Sequence, residues 1–296
     1  MSFIPESELI LNDEGGIYHL KLKPEQLADT VILVGDQGRV SLISDYFDEL
    51  EYAGQNREFV THTGRVGQSR LSVVSTGIGI DNIDIVLNEL DALVNIDLET
   101  RTIRPEKRTL NLIRLGTSGS LQPDIPVDSF VISSHGIGMD WFFQYYEDVN
   151  YVCEKDIQDA LNAWIPWEPG MGHAYVVKSD DRMLRQIGGN DMIHGMTATA
   201  SGFYGPQGRV LRLAPRIPNL NSLLTDFRFG DHRITNFEME TSALYALGKA
   251  LGHNCITVCA IIANRFNMTF SEDYHLTIEK LIQKLLERLS YTTEPL

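Results

Sequence analysis

The chain has 296 residues, 43 % of them hydrophobic and 22 % charged, with a formal net charge of −15. That length suffices for one large α/β domain burying about three quarters of its unfolded surface, and the acidic balance excludes nucleic acid and anionic membrane as expected partners. Cys153, Cys255 and Cys259 lack metal-ligand spacing, MSFIPESELI lacks the basic and apolar regions of a signal peptide, and no apolar run is long enough for a membrane span; the expected setting is reduced and cytoplasmic.

VILVG (31–35) is a short β-branched run that ends at glycine and predicts a buried strand. RVSLISDYFDEL (39–50) follows with helical spacing. EFVTHT (58–63) and RLSVVST (70–76) flank GRVGQS and predict a hairpin. DNIDIVLNELDALVN (81–95) begins with an acidic cap and repeats its apolar residues as a helix does. DLETRTIRPEKR is dense in charges of both signs and predicts an exposed insertion around residues 97–109. LNLIRLG (110–116), SFVISS (129–134) and MIHGMTATA (192–200) predict strands, the last leading into a loop. METSALYALGKALG (239–252) predicts a helix stopped by Gly252, CITVCAIIA (255–263) a buried strand, and TIEKLIQKLLERL (277–289) a closing amphipathic helix. Strands alternating with helices predict a single domain over residues 1–296, built around a mixed, largely parallel twisted sheet.

Ligands of open α/β sheets sit beyond the carboxyl ends of strands. Three predicted strands end there in glycine-rich turns, VGDQGR, STGIG and RLGTSGS. Glycine lets the backbone approach a ligand closely, and free amides hold anions. The first turn adds Arg39 and the third adds Arg114, Thr117 and Ser118, a set suited to inorganic phosphate. The spacings match neither a Walker loop nor a dinucleotide fingerprint.

FYGPQGR (203–209) places an amide and a guanidinium two residues apart, beyond a Gly-Pro pair that marks a loop. Gln207 offers an acceptor and two donors, and Arg209 offers only donors. Beside Phe203 they complement a planar edge reading acceptor, donor, acceptor, as uracil does; a solvated surface loop is the plainer alternative. In NFEMET, Glu238 and Glu240 flank Met239 at a helix entrance. Such carboxylates suit a helix dipole, and they equally suit sugar hydroxyls as donors.

Taken in order, IYHLKL, GDQGRV, NREF, STGIG, IRLGTSG, FYGPQGR, NFEMET and IIANRF span Ile17 to Phe266. This series resembles the uridine phosphorylase branch of the nucleoside phosphorylase-I family. The resemblance implies a three-layer α/β/α sandwich and the phosphorolysis of uridine to uracil and ribose 1-phosphate. It assigns phosphate to Gly35, Arg39, Arg114 and Thr117, ribose to Glu238, Met239 and Glu240, and the base to Phe203, Gln207, Arg209 and Arg265. It also implies a homodimer, or a trimer of dimers, in which His19 and Arg57 reach a neighbour's ribose and phosphate. Phosphate is then a co-substrate, and no covalent nucleophile, metal or organic cofactor is implied, although a monovalent cation near Glu58 fits the family. The chain departs from the family pattern in GDQGR where GDPDR is usual, in Asn56 where His is common, in Asn82 where some relatives hold the cation with Ser, and in the insertion. Purine-cleaving relatives carry a Ser-Asp pair where this chain has Ala263 and Asn264. A purine nucleoside phosphorylase, a water-using nucleosidase and a non-catalytic nucleoside-binding protein on the same fold are the alternatives.

Overall fold

The first strand shows why the chain folds in layers. In the computed structural model, which describes residues 3–147 and 149–291, β1 (Thr30–Val34) is apolar at every buried position. Val31 and Leu33 face one core and Ile32 and Val34 face the other. A strand covered on both faces reads as a continuous hydrophobic run for this reason.

Chain order continues with α1 (Gly38–Ser44), β2 (Glu49–Asn56), β3 (Phe59–Val66), β4 (Ser69–Ser75) and α2 (Ile80–Asn95). A small pair, β5 (Ile96–Asp97) and β6 (Thr102–Ile103), precedes β7 (Asn111–Ser120) and β8 (Phe130–Met139). Next come α3 (Lys155–Trp164), β9 (Tyr175–Lys178), α4 (Asp181–Gly188), β10 (Ile193–Ala200) and α5 (Leu220–Asp226). The chain closes with β11 (Arg228–Phe229), β12 (His232–Glu238), α6 (Thr241–Ala250), β13 (Asn254–Asn264), β14 (Thr269–Phe270) and α7 (Tyr274–Tyr291).

Among the described residues, twelve strands form one mixed sheet in the order β11-β12-β10-β8-β13-β7-β1-β4-β3-β2, with β9 on β8 and β14 on β13. β1 pairs in parallel with β4 and β7, β13 with β7, and β10 with β8 and β12. The sheet also closes on itself. The end of β7 pairs with β12 through Gly119↔Phe237 and Ser120↔Asn236, so β7, β13, β8, β10 and β12 make a ring.

Helices cover both faces. On one, Ile83, Val86, Leu87 and Leu90 of α2 join Leu244 and Leu247 of α6. On the other, Val40 and Ile43 of α1 meet Ile187 of α4 and Leu281 and Leu285 of α7. The spacing of three and four residues in α2 is the stripe that the sequence displays. The α/β/α sandwich expected from the sequence is therefore the observed architecture.

Three local expectations need correction. The helix expected over residues 39–50 ends at Ser44, and Glu49 and Leu50 open a strand that the sequence reading missed. Tertiary pairing overrides helical spacing here: β2 runs antiparallel to β3 over its length, and the Phe47 ring occupies the space left by Gly64. The turn expected in RLGTSGS is instead strand, because β7 continues to Ser120 to reach both β13 and β12. The acidic cap expected for α2 is Gly79, at φ 100°, with Asp81 in the first turn. The charged insertion contains the β5–β6 pair and is tied to the chain start by Ile4 N–H donating to Arg101 O at 2.8 Å.

Helix α6 sits tightly on β8, where a Cβ on Gly136 would lie 2.9 Å from the Ser242 Cα. Beside this contact Asp140 is buried, accepting from Phe142 N (3.0 Å), Tyr175 Oη (3.2 Å) and Ser242 Oγ (3.2 Å). Burial raises its pKa to about 6 against these hydrogen bonds. An aspartate raised in the folded state favours folding most below its unfolded value, near 4, and loses that contribution as pH rises through about 6. Asp140→Asn should therefore gain stability relative to wild type on going from pH 5 to pH 8, by roughly 1 kcal/mol. Urea unfolding at the two pH values checks this, and a difference that is flat or of opposite sign contradicts it.

Candidate active site

The carboxyl ends of β1, β4, β7, β10, β12 and β13 converge on a cavity of about 270 Å³. Ligand cavities run from roughly 300 to 1,000 Å³, so this one suits a small molecule. Its floor is charged. Arg114 on β7 pairs with Glu240, and with Glu238 at 3.3 Å, and all three are buried. Burial alone would lower the Arg114 pKa, yet Glu240 and then Glu238 raise it on balance. Burial pushes Glu238 up, with Arg114 opposing.

The two carboxylates are held differently. Glu238, the last residue of β12, accepts from Glu240 N–H, Thr241 N–H and Thr199 Oγ1, at 2.6 to 3.0 Å. It thus satisfies free amides at the start of α6, the structural alternative raised above. Glu240 accepts from Gly79 N–H at 2.8 Å and from Arg114. Its oxygens keep spare lone pairs beside the cavity.

Arg39 differs from Arg114 in having no carboxylate within ion-pair distance among the described residues. It is 8 % exposed and donates to Leu115 O at 3.1 Å. Burial first, and Arg114 second, lower its pKa, with nearby Asp36 opposing in part. A buried cation that is only partly compensated is costly, and an anion entering the cavity would relieve it. Gly35, Asp36 and Thr117 line the same end.

At the other end, the loop after β10 makes a short turn over Gly205–Gln207, with Pro206 at its start, where a missing N–H does no harm. Gly208 at φ 67° reverses the chain and returns Arg209 over the Phe203 ring, 3.7 Å from its centroid. Arg209 also donates to Phe203 O and to Gln207 Oε1, each at 2.6 Å. Because a guanidinium cannot accept, this contact fixes which way the Gln207 amide faces. Gln207 is buried yet lines the cavity, its Oε1 accepting from Arg209 and its Nε2 3.5 Å from Glu238 O.

The cavity brings together Gly35, Arg39, Arg114 and Thr117 with Phe203, Gln207 and Arg209, and with Glu238, Met239 and Glu240. It leaves Arg265 outside its lining: that side chain packs along Gly119 toward the Phe237 ring, and its pKa falls to about 10 through burial and then Arg209. Sequence reasoning missed Ile78, Phe237, Ile262 and Phe270, which supply apolar wall. Only Ile78, set between two glycines, gave a signal; the others look like ordinary core residues in the sequence.

His19 and Arg57 also lie outside the lining, on a common patch of their own. Asn56 Nδ2 donates to His19 O at 2.8 Å, and Arg57 stands 6.0 Å from the Tyr18 ring centroid. Arg57 adopts φ 53°, an uncommon conformation for a side-chain-bearing residue, in the turn between β2 and β3. Near the cation position implied by the family pattern, Asn82 presents its amide nitrogen toward Gly77 beside Glu58. The same amide carries an acceptor oxygen, so Asn82 and Glu58 together could supply oxygen ligands to a monovalent cation.

Gly116 is where the cavity floor is most exacting. A Cβ there would overlap the Arg114 guanidinium, which folds back along β7. Gly116→Ala should displace that group from Glu240 and cut turnover at least about tenfold, while Gly67→Ala, strained by its φ of 57° but at a hairpin tip outside the cavity lining, should cost stability and leave turnover unchanged. Steady-state rates of the two variants make the comparison; equal rates would show that the Arg114 position is not critical.

The pattern of the phosphorylase superfamily matches residues 29–291. The uridine phosphorylase of Thermococcus kodakarensis is 32 % identical over 88 % of this chain and 82 % of its own. That of Haemophilus influenzae is 27 % identical over 84 % of this chain and 87 % of its own. A Trypanosoma brucei nucleoside phosphorylase, described as showing uridine phosphorylase activity, superposes with a TM-score of 0.84 at 31 % identity, covering 95 % of this chain and 99 % of that one. The chain belongs to the phosphorylase superfamily.

Proposed function

We propose that the protein is a uridine phosphorylase, converting uridine and phosphate to uracil and ribose 1-phosphate. The observation that carries this reading is one small cavity with Arg39, free of any ion pair among the described residues, at one end, the Gln207–Arg209–Phe203 cluster at the other, and Glu240 between them. The relatives named above support it. A phosphate oxygen attacks C1′ as the C1′–N1 bond breaks, and that bond's electron pair leaves on the uracil, spread toward O2 and O4. Arg39, Arg114 and Thr117 hold the phosphate, whose charge also stabilises the cationic sugar. Glu240 accepts from the ribose hydroxyls. Gln207 accepts from uracil N3–H and donates to a carbonyl oxygen, and Arg209 stabilises the leaving charge. Phosphate is the only further molecule that this chemistry requires.

Purines fit less well. At the end of β13, Ala263 lines the cavity, and Asn264 is buried and engaged with Gln122 O, Ile125 O and the amides of Phe266 and Asn267. No acid stands there to protonate a purine ring. Uridine should be cleaved about 10⁴ times faster than cytidine, because cytosine leaves Gln207 with mismatched polar groups. Side-by-side rates with uridine, cytidine and inosine decide this, and a preference for inosine would reverse the assignment.

Arg39 is a cleaner probe of phosphate than Arg114. Removing Arg114 strands Glu238 and Glu240 in the interior, at a cost of about 3–5 kcal/mol of stability. Arg39→Ala leaves no buried carboxylate unpaired. It should raise the apparent KM for phosphate and slow turnover about 10²-fold with the fold retained. Undiminished cleavage in phosphate-free buffer would instead mean a hydrolase.

Because His19 and Arg57 stand outside their own chain's cavity, the reading includes a homodimer with shared sites. Arg57→Ala and Glu240→Ala should each be nearly inactive alone. Co-expressed, they form mixed dimers in which one site of two is whole, so activity should return to roughly one quarter of wild type under random pairing. No recovery in mixed dimers verified by mass would place Arg57 outside the shared site.

A further inference from the structure

The His19 patch contains a feature that the residue roles above do not explain. Glu89, on α2, sits 70 residues from His19 in sequence and is 12 % exposed. Its carboxylate accepts from His19 N–H at 2.9 and 3.1 Å, from Leu20 N–H at 2.8 Å, and from the His19 ring at Nδ1, 2.7 Å away. An ionised carboxylate can only accept. The proton on the His19 ring is therefore at Nδ1, and in the neutral ring Nε2 is an acceptor. Among the described residues Nε2 has no partner, and the side chain remains 26 % exposed. Asn56 holds the same turn from its carbonyl side, and Tyr18 and Phe59 box the ring edge-on, with centroids 4.9 and 6.2 Å away. The chain thus fixes both the direction and the tautomer of an imidazole whose Nε2 has nothing to act on among the described residues of its own subunit.

We infer that Glu89 is a positioning residue: it holds His19 as the Nδ1–H tautomer so that Nε2 accepts a hydrogen bond from the 5′-hydroxyl of the nucleoside in the neighbouring subunit's site. This rests on the shared-site reading given above. It makes selectivity for a 5′-hydroxyl depend on a residue that itself touches no substrate. Glu89→Gln is the informative change. A glutamine carbonyl still accepts from the two backbone amides, but its NH₂ group donates toward Nδ1 and drives the ring proton to Nε2.

Two measurements test the inference. In protein labelled with ¹⁵N-histidine at roughly pH 8.5, where an ordinary imidazole is neutral, the His19 signal, identified by its loss in His19→Ala, should report the Nδ1–H tautomer. Glu89→Gln should move that proton to Nε2. In kinetics, Glu89→Gln should narrow the kcat/KM preference for uridine over 5′-deoxyuridine by about three- to tenfold, with 5′-deoxyuridine itself processed as by wild type. His19→Ala should abolish the preference. An Nε2–H tautomer in wild type, or an equal loss with both substrates in Glu89→Gln, overturns the inference, the second outcome meaning that Glu89 only braces the turn. If His19→Ala keeps the full preference, the shared-site role of His19 fails, while the spectra still decide whether Glu89 sets the tautomer.

Discussion

The rest of the site depends on the buried charge cluster of Arg114, Glu238 and Glu240. Two carboxylates and one guanidinium sit where β7, β12 and the start of α6 meet. Each is tolerable there only because of the others, since an unpaired interior charge costs several kcal/mol. Glu238 binds the α6 amides, Arg114 ties Glu240 to β7, and Glu240 in turn holds the Gly79 amide. One cluster therefore sets the distance between three strand ends. It leaves the floor with one guanidinium against two carboxylates, whereas Arg39, in the same lining, has no ion-pair partner among the described residues.

Sheet closure explains why the cluster can exist. In an open sheet, β12 and β7 would be strand ends separated by β10, β8 and β13. The Gly119↔Phe237 and Ser120↔Asn236 pairs bring them into contact. This places Glu238 and Glu240 against Arg114, and it holds the Gln207 loop, which follows β10, across the same cavity. Gln207 Nε2 lies 3.5 Å from Glu238 O, so the Gln207 loop and the charged floor share a wall.

The layered fold was legible because both its faces are apolar. The runs VILV and CITVCAIIA and the stripes of α2 and α7 state burial directly in residue type. What escaped depended on pairing between distant segments. β2 has no buried residue and carries Glu49, Glu51 and Gln55, so only its ladder with β3 makes it a strand. The strand identity of Thr117 to Ser120 likewise comes from partners on β13 and β12 and not from its glycine-rich composition.

The site was legible to the extent that its chemistry is local. Gln207 and Arg209 lie two residues apart because a single turn fixes their relation, and FYGPQGR displays both the turn and its polar tips. Glu238 shows the opposite limit. Sequence placed it with Glu240 as a sugar ligand, but its oxygens already accept from two backbone amides and a threonine, and Arg114 lies 3.3 Å away. Two glutamates two positions apart thus divide the work, Glu238 anchoring the helix start and Glu240 holding Gly79 and Arg114, and only hydrogen-bond partners tell them apart. Glu89 extends the same logic to a residue with no motif around it. Its meaning comes wholly from the His19 turn that it grips across 70 residues of sequence.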